Sequence, residues 1–164
     1  MITAKTLRAV ISYDETTGLF TWLAPPARGK SYVGEAAGTL TPDGRVNIGL
    51  GGRNYKAHRL AWLYVYGEWP PMRIDHIDGN SANNAISNLR LATQSQNNGN
   101  ARRRKDNKTG FKGVHFDNLT GRWRAQIKCG PTTHRLGRFD TPEAAHSAYM
   151  DAARRLFGEF ARAA

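Results

Sequence analysis

The sequence predicts an α+β chain with two modules, and three observations support this. Apolar residues make up 40% of the 164 residues and charged residues 23%, as in globular proteins. Short alternating segments typical of strands lie between glycine turns. Two threonines stand where helix N-caps are expected. We therefore predict a β-rich N-terminal region at 1–57, a strand–loop–strand–helix core at 58–100, a basic linker at 101–110 and a three-stranded sheet on one helix at 111–164.

The N-terminal region is predicted from turn signals and one clear alternation. Residues 45–50 alternate with period two between Asp43-Gly44 and Gly51-Gly52, which predicts a strand with a hairpin partner at 54–57. The apolar run 58–66 ends at Gly67 and predicts a short buried helix, because glycine readily adopts the left-handed conformation that ends helices. On this helix we expect His58 to be a packed core residue.

The central segment predicts the order strand, loop, strand, helix. Residues 72–78 read as a strand that ends in charged side chains, and residues 79–84 are turn formers throughout. A second alternating strand is expected at 89–93. Thr93 with Gln96 three residues later resembles a capping box, which predicts that a helix begins there.

The C-terminal segment contains the cleanest alternation in the chain. Residues 122–129 place apolar side chains on one face and a basic, polar row on the other: Arg122, Arg124, Gln126 and Lys128. Flanking strands are expected at 111–116 and 133–139. Thr141 and Pro142 then open a helix whose core face is predicted to hold Ala145, Tyr149, Ala152 and Leu156.

The charge distribution points to a polyanionic partner. The net charge is +11, and residues 101–164 hold 14 basic and 6 acidic residues against 10 and 7 in residues 1–100. In the linker, the side chains predicted to contact DNA are Arg102, Arg103, Arg104 and Lys105. The sequence shows no secretory signal, no apolar run of about 18 residues and a single cysteine, so we expect a cytoplasmic protein without a membrane partner, an internal disulfide or a cysteine-bound zinc.

One set of polar residues in the central segment is suited to hydrolysis. Asp75 and His76 are followed by Asn88 and Asn97. Histidine titrates near neutral pH and can take a proton from water. Carboxylate and amide oxygens suit Mg²⁺, which keeps several waters and binds substrate phosphate. These residue types favour hydrolysis of a phosphodiester.

The spacing of these residues resembles the HNH endonuclease family. The matching segments are Arg-Ile-Asp75-His76-Ile-Asp-Gly-Asn, Asn84, Asn88-Leu-Arg-Leu-Ala-Thr and Asn97, preceded by His58-Arg-Leu-Ala-Trp and Gly67-Glu-Trp-Pro-Pro. The resemblance implies a ββα-metal fold in which His76 is the general base, Asn88 orients it, and Asp75 and Asn97 bind the metal. Because Asn97 stands where the family often has histidine, the implied ion is Mg²⁺ or Mn²⁺, with no other cofactor.

The last third of the chain is similar to AP2/ERF DNA-binding domains. The match includes Trp123-Arg-Ala-Gln126-Ile and Leu136-Gly137-Arg-Phe139-Asp-Thr141-Pro-Glu143-Ala-Ala. The resemblance implies that the sheet lies in the major groove of DNA, where arginine can read guanine and glutamine can read adenine. The side chains expected to bind DNA there are Lys112, His115, Arg122, Arg124, Gln126, Lys128 and Arg135. His115 replaces the arginine of plant members, so their base preference does not transfer.

Together these features predict a metal-dependent HNH endonuclease acting on double-stranded DNA and positioned by an AP2-like domain. A single catalytic histidine indicates nicking by a monomer, whereas a dimer could cut both strands. Removing residues 111–164 should leave a weak nuclease with little sequence preference. The alternatives are a catalytically inactive sequence-specific DNA-binding regulator, and a nuclease or binding protein specific for RNA.

Overall fold

A computed structural model describes residues 2–25, 31–103 and 106–163. Their fold mixes helices and sheets and is of the α+β class. Contacts divide the chain into two compact units, Met1–Leu91 and Ala92–Ala164. No helix in the described ranges combines the length and apolar character that a bilayer crossing requires.

The first unit begins with a helix and five short strands. They are α1 (Ala4–Val10), β1 (Ile11–Tyr13), β2 (Phe20–Trp22), β3 (Thr39–Leu40), β4 (Val46–Leu50) and β5 (Arg53–Lys56). Strands β1 and β2 form an antiparallel pair, and β3, β4 and β5 form an antiparallel sheet in that order. The predicted hairpin is confirmed, with Ile48 opposite Tyr55.

Helix α1 departs from the β-rich expectation for residues 1–57. Its capping box joins Thr3 to Thr6, and threonine is not the Glu or Gln that makes this motif recognisable in sequence. Leu7, fully buried, anchors this short helix to the core.

The predicted buried helix is present as α2 (Ala57–Tyr66), and Gly67 ends it with φ +80°. Its inner face joins the core of the first unit, in which the largest fully buried side chains are Leu7, Ile11, Ile48, Leu60 and Leu63. After α2 the chain forms β6 (Arg73–His76), a 3₁₀ turn at Ile86–Asn88 and β7 (Leu89–Ala92), and the two strands pair. This confirms the expected strand, loop and strand.

The second unit contains the remaining elements: α3 (Gln94–Asn100), β8 (Val114–Asp117), β9 (Arg122–Cys129), β10 (Thr132–Phe139), α4 (Pro142–Phe157) and a 3₁₀ turn at Gly158–Phe160. The sheet is antiparallel with β9 in the centre, and α4 packs against it. The predicted three-stranded sheet on one helix is confirmed, as are the Thr93–Gln96 capping box and the Thr141 N-cap.

The core face of α4 differs from the prediction in its last turn. Leu156 is 36% exposed, whereas Ala153 and Phe157 are buried together with Ala145, Tyr149 and Ala152. The prediction for Leu156 was wrong because the end of α4 packs against α3 as well as the sheet, and the ring of Phe157 fills the space beside Gly99. Helix α3 therefore packs within the second unit, so the predicted 58–100 segment includes residues of both units.

Candidate active site and basic sheet face

Asp75 and His76 lie at the end of β6, and both are buried. The Asp75 carboxylate accepts a hydrogen bond from Arg90 on β7, with Nε and Oδ2 2.9 Å apart. Because both side chains are largely shielded from water, the ion pair neutralises a carboxylate that would otherwise be costly to bury. Arg90 thereby fixes the position of the carboxylate that precedes His76 in the chain.

The ring of His76 is oriented by Asn84. Nε2 of His76 lies 3.2 Å from Oδ1 of Asn84, and Asn84 is 2% exposed. The orientation of the amide follows from its other bond, in which Nδ2 of Asn84 donates to the carbonyl of Ala82 at 3.1 Å. The oxygen thus faces His76, an arrangement that favours the tautomer in which Nε2 carries the proton and Nδ1 is the basic nitrogen.

The hairpin formed by β1 and β2 contacts Asn84 and the residues that follow it. The Tyr13 hydroxyl donates to the main-chain carbonyl of Asn84 at 2.7 Å, and the amide of Ile86 donates to the carbonyl of Glu15 at 3.0 Å. Gly18, at φ +73°, lies so close that a Cβ atom there would stand 2.2 Å from the amide nitrogen of Ala85. Residues 13–18 thus brace the loop that contains Asn84.

Asn88 acts on the loop and not directly on the imidazole in the contacts described. Its side chain accepts from the amide of Asp78 at 3.0 Å and donates to the carboxylate of Asp78 and the carbonyl of Asn83. Its main-chain carbonyl accepts from Ile77, the residue after His76. Asn84, and not the expected Asn88, contacts the ring of His76. Pairing a loop asparagine with a strand histidine requires the loop conformation, which no spacing rule supplies.

A second histidine packs against the first. The rings of His58 and His76 form an edge-to-face pair with centroids 5.1 Å apart. Burial lowers the pKa of His58 to about 3, with smaller contributions from His76, Lys56 and Arg45. Burial also lowers the pKa of His76, although the bond to Asn84 opposes the shift. Both rings are therefore neutral at physiological pH, the state in which His76 can accept a proton.

Asn97 lies on α3 in the second unit and is partly exposed. Its side-chain nitrogen approaches the carbonyl of Thr93 at 3.4 Å, a bond that does not consume the amide oxygen. The described residues contain no group of three or more His, Cys, Asp or Glu side chains suited to a metal. Carboxylate and amide oxygens, as in Asp75 and Asn97, are the donor types that hard ions such as Mg²⁺ and Mn²⁺ prefer.

The outer face of the C-terminal sheet is strongly basic. Residues opposite each other in an antiparallel sheet share a face, and the register pairs Arg124 with both His115 and Arg138, Gln126 with Arg135, and Lys128 with Thr133. A depression on this face is lined by Arg122, Arg124, Arg135, Gly137 and Arg138. Asp117 and Asp140 pair with two of these arginines at 3.3 and 2.9 Å. We call this surface the basic sheet face.

Arg138 is the member of this face that the sequence analysis missed. Strict alternation from Arg135 would turn Arg138 to the opposite side of the sheet. A bulge between Arg135 and Gly137 shifts the register by one residue and returns Arg138 to the rung of Arg124. In the sequence, a glycine inside a strand is a sign of a bulge, and Gly137 occupies that position here with φ +126°.

Other predicted DNA-binding residues have different surroundings. Lys112 donates to the carbonyls of Gly99 and Ala101, both at 2.7 Å, and burial lowers its pKa to about 8. Arg102 and Arg103 are exposed, and Arg103 donates to the carbonyl of Asn107. The predictions for Arg104 and Lys105 fall outside the described residues.

Comparison with known proteins relates the central segment of the chain to a nuclease family. Residues 55–99, which include Asp75, His76, Asn88 and Asn97, match the HNH endonuclease family. Protein 3.8 of Escherichia phage T7 is 36% identical over 112 residues, which cover 66% of this chain and 92% of the phage protein. The central segment of the chain is therefore similar to the HNH endonuclease family.

A relative that is named as an HNH endonuclease aligns over more than the matched segment. The uncharacterized HNH endonuclease L560 of Acanthamoeba polyphaga mimivirus is 38% identical over 106 residues, 63% of this chain and 54% of the mimivirus protein. The aligned part is thus about half the length of that HNH protein. No solved structure matches the chain.

Proposed function

We propose that the protein is a divalent-metal-dependent endonuclease that nicks double-stranded DNA. The observation that carries this proposal is the buried pair Asp75–His76 at the end of β6, with Nε2 of His76 held by Asn84, inside the segment that matches the HNH family. A neutral histidine with a fixed basic nitrogen beside a buried carboxylate suits the activation of water near an anionic substrate.

The chain's own groups divide the hydrolytic work. A water molecule attacks the phosphorus while Nδ1 of His76 takes its proton, and the Asn84 amide keeps Nε2 protonated and the ring in place. The bond from phosphorus to the leaving oxygen breaks, and that oxygen takes a proton from solvent. Asp75 and Asn97 are the residues proposed to hold Mg²⁺ or Mn²⁺, which when bound stabilises negative charge on the phosphate and the leaving oxygen. Asn88 positions the loop through Asp78 and Asn83.

The second unit is proposed to bind duplex DNA as an AP2-like domain. The basic sheet face places five Arg or Lys side chains on the side of the sheet away from α4: Arg122, Arg124, Lys128, Arg135 and Arg138. Cations supply sequence-independent phosphate affinity, while Arg124 and Gln126 have the donors needed to read base edges. Arg102, Arg103, Arg104, Lys105, Lys112 and His115 remain proposed contacts.

Plasmid relaxation tests the proposed activity. The full chain incubated with supercoiled plasmid and Mg²⁺ or Mn²⁺ is expected to produce open-circular DNA, and excess EDTA is expected to stop it, because oxygen ligands bind these ions weakly. Duplex binding without metal-dependent nicking would favour the inactive regulator instead. Stronger competition by duplex RNA than by duplex DNA would favour an RNA substrate.

A further inference from the structure

The second unit contains a cavity at one edge of its sheet. Strand β8 begins at Val114, and just before it the carbonyl of Gly113 accepts a bond from the amide of Gln126 at 3.0 Å. Strand β9 extends past this point to Cys129. A cavity of about 320 Å³ opens there, at the low end of the ~300–1,000 Å³ typical of ligand sites. Its lining includes Gly113, His115, Gln126, Lys128, Thr133 and Tyr149.

Tyr149 brings a buried hydroxyl without a partner to this cavity. It lies on α4 and is 5% exposed. Within the described ranges its hydroxyl makes no hydrogen bond, and burial alone raises the pKa of Tyr149 to about 12. Buried polar groups normally have a partner, because leaving the bond unmade costs free energy. A molecule in the cavity could supply the missing acceptor.

The ring of Tyr149 is held in place by its neighbours. Gly113 has φ +72°, and a Cβ atom there would stand 2.2 Å from Cδ2 of the ring. The ring of His146 stacks on that of Tyr149, with centroids 6.1 Å apart and the planes 10° from parallel. These contacts fix the ring, so the hydroxyl is presented to a ligand without reorganisation.

The chemistry of the lining is suited to an anion. Lys128 supplies a positive charge, and the side chains of Gln126 and Thr133 offer further donors. Of the described residues that line the cavity, none is Asp or Glu. Gln126 lies opposite Arg135, and Lys128 opposite Thr133, so the cavity adjoins the basic sheet face. A nucleic-acid backbone lying along that face reaches the cavity.

We propose that this cavity binds one phosphate group of the DNA backbone, with the Tyr149 hydroxyl donating to a phosphate oxygen and the Lys128 ammonium pairing with its charge. The proposal rests on the proposed function, in which the basic sheet face binds duplex DNA. Phosphate contacts fix the position of a protein on the duplex without reading sequence. Tyr149 is thus assigned a binding role in addition to its place in the core.

Replacing Tyr149 with phenylalanine separates a binding role from a structural one. If the hydroxyl stabilised the fold, its removal would lower the free energy of unfolding. Because it makes no bond within the described residues, we expect the urea midpoint of the DNA-free variant to stay the same or rise. Binding of phosphate is expected to fall.

Inorganic phosphate is the first probe. It is titrated into the full chain at constant ionic strength, and the NMR shifts of the amides of Gly113, Ile127 and Lys128 report occupancy of the cavity. The wild type is expected to saturate, and Tyr149→Phe to raise the dissociation constant about tenfold or more, since a bond to a charged group is lost. Tyr66→Phe removes an exposed hydroxyl from the first unit and should behave as wild type.

Duplex DNA is the second probe, measured by fluorescence anisotropy over a salt series. Tyr149→Phe should weaken binding several-fold without changing the slope of log affinity against log salt, because the hydroxyl carries no charge. Lys128→Met keeps the apolar stem at an exposed position and removes the charge. It should weaken binding of both probes and reduce the slope by about 0.9.

Each outcome bears on a separate claim. Equal phosphate binding by wild type and Tyr149→Phe, or a lower urea midpoint in that variant, would overturn the cavity as a phosphate site. Weaker phosphate binding with unchanged duplex affinity would overturn the DNA backbone as its source and indicate a free phosphorylated ligand. A wild type that binds phosphate in the cavity but no duplex would overturn the proposed function and the DNA source together.

Discussion

The orientation of His76 depends on one buried amide. Replacing Asn84 with alanine removes the acceptor that faces Nε2, so the ring loses the contact that fixes its tautomer. A lost buried hydrogen bond costs ~1–3 kcal/mol, and we expect the cleavage rate to fall about tenfold or more while duplex affinity is kept. Single-turnover nicking with saturating enzyme measures the effect. Asn80→Ala, in the exposed part of the same loop, is the control, and an equal loss in both variants would contradict the orienting role of Asn84.

His58 makes the stability of the protein sensitive to acid. Its pKa is about 3 in the folded chain and about 6.5 when unfolded, so between these values the unfolded chain binds more protons. The free energy of unfolding should therefore fall as pH drops below about 6.5, with a slope of up to ~1.4 kcal/mol per pH unit from this residue. His58→Phe keeps a ring against His76 and removes the titration.

Urea unfolding at pH 7 and pH 5 checks this prediction. The wild type should lose more stability than His58→Phe, which keeps only the smaller effect of the lowered pKa of His76. The same loss in both proteins would show that His58 is not the group responsible.

Among the larger elements, the basic sheet face makes the sharpest prediction. Removing two of its cations with Arg124→Ala and Arg138→Ala should weaken duplex binding and reduce the slope of log affinity against log salt by about 2, since each phosphate contact contributes about 0.9. Arg154→Ala with Arg155→Ala removes the same charge from exposed positions on α4 and is the matched control. Fluorescence anisotropy over a salt series measures both, and equal slopes would place DNA elsewhere on the molecule.

Sequence reasoning succeeded where local chemistry decides the element. The alternation of β9, the Thr93 capping box and the Thr141 N-cap are local signals, and each predicted element is present. It was wrong for Leu156 because the packing of Gly99 against Phe157 is a long-range contact. Arg138 was not predicted to lie on the basic sheet face, because the register shift in β10 arises from its pairing with β9 and not from the local sequence.

At the scale of the whole molecule, the sequence predicts which residues form the candidate site. It does not predict which of them contact one another. Asp75, His76, Asn84, Asn88 and Asn97 all lie in the motif found by spacing. The contacts of Asn84 with His76 and Tyr13 depend on how the loop folds against the N-terminal hairpin, which spacing does not reveal. The placement of α3 in the second unit changes the expected organisation, because a proposed metal ligand then belongs to the same unit as the basic sheet face.

The central claim, that His76 activates water for cleavage of duplex DNA, is tested most directly by His76→Ala. The measurement is the rate of plasmid nicking in Mg²⁺ at protein concentrations that give equal DNA occupancy, with occupancy determined by anisotropy. A general base contributes ~10²–10⁴-fold, so the rate should fall by that factor while the Kd for DNA stays within about twofold of wild type. Nicking at the wild-type rate by a folded His76→Ala protein would contradict the account.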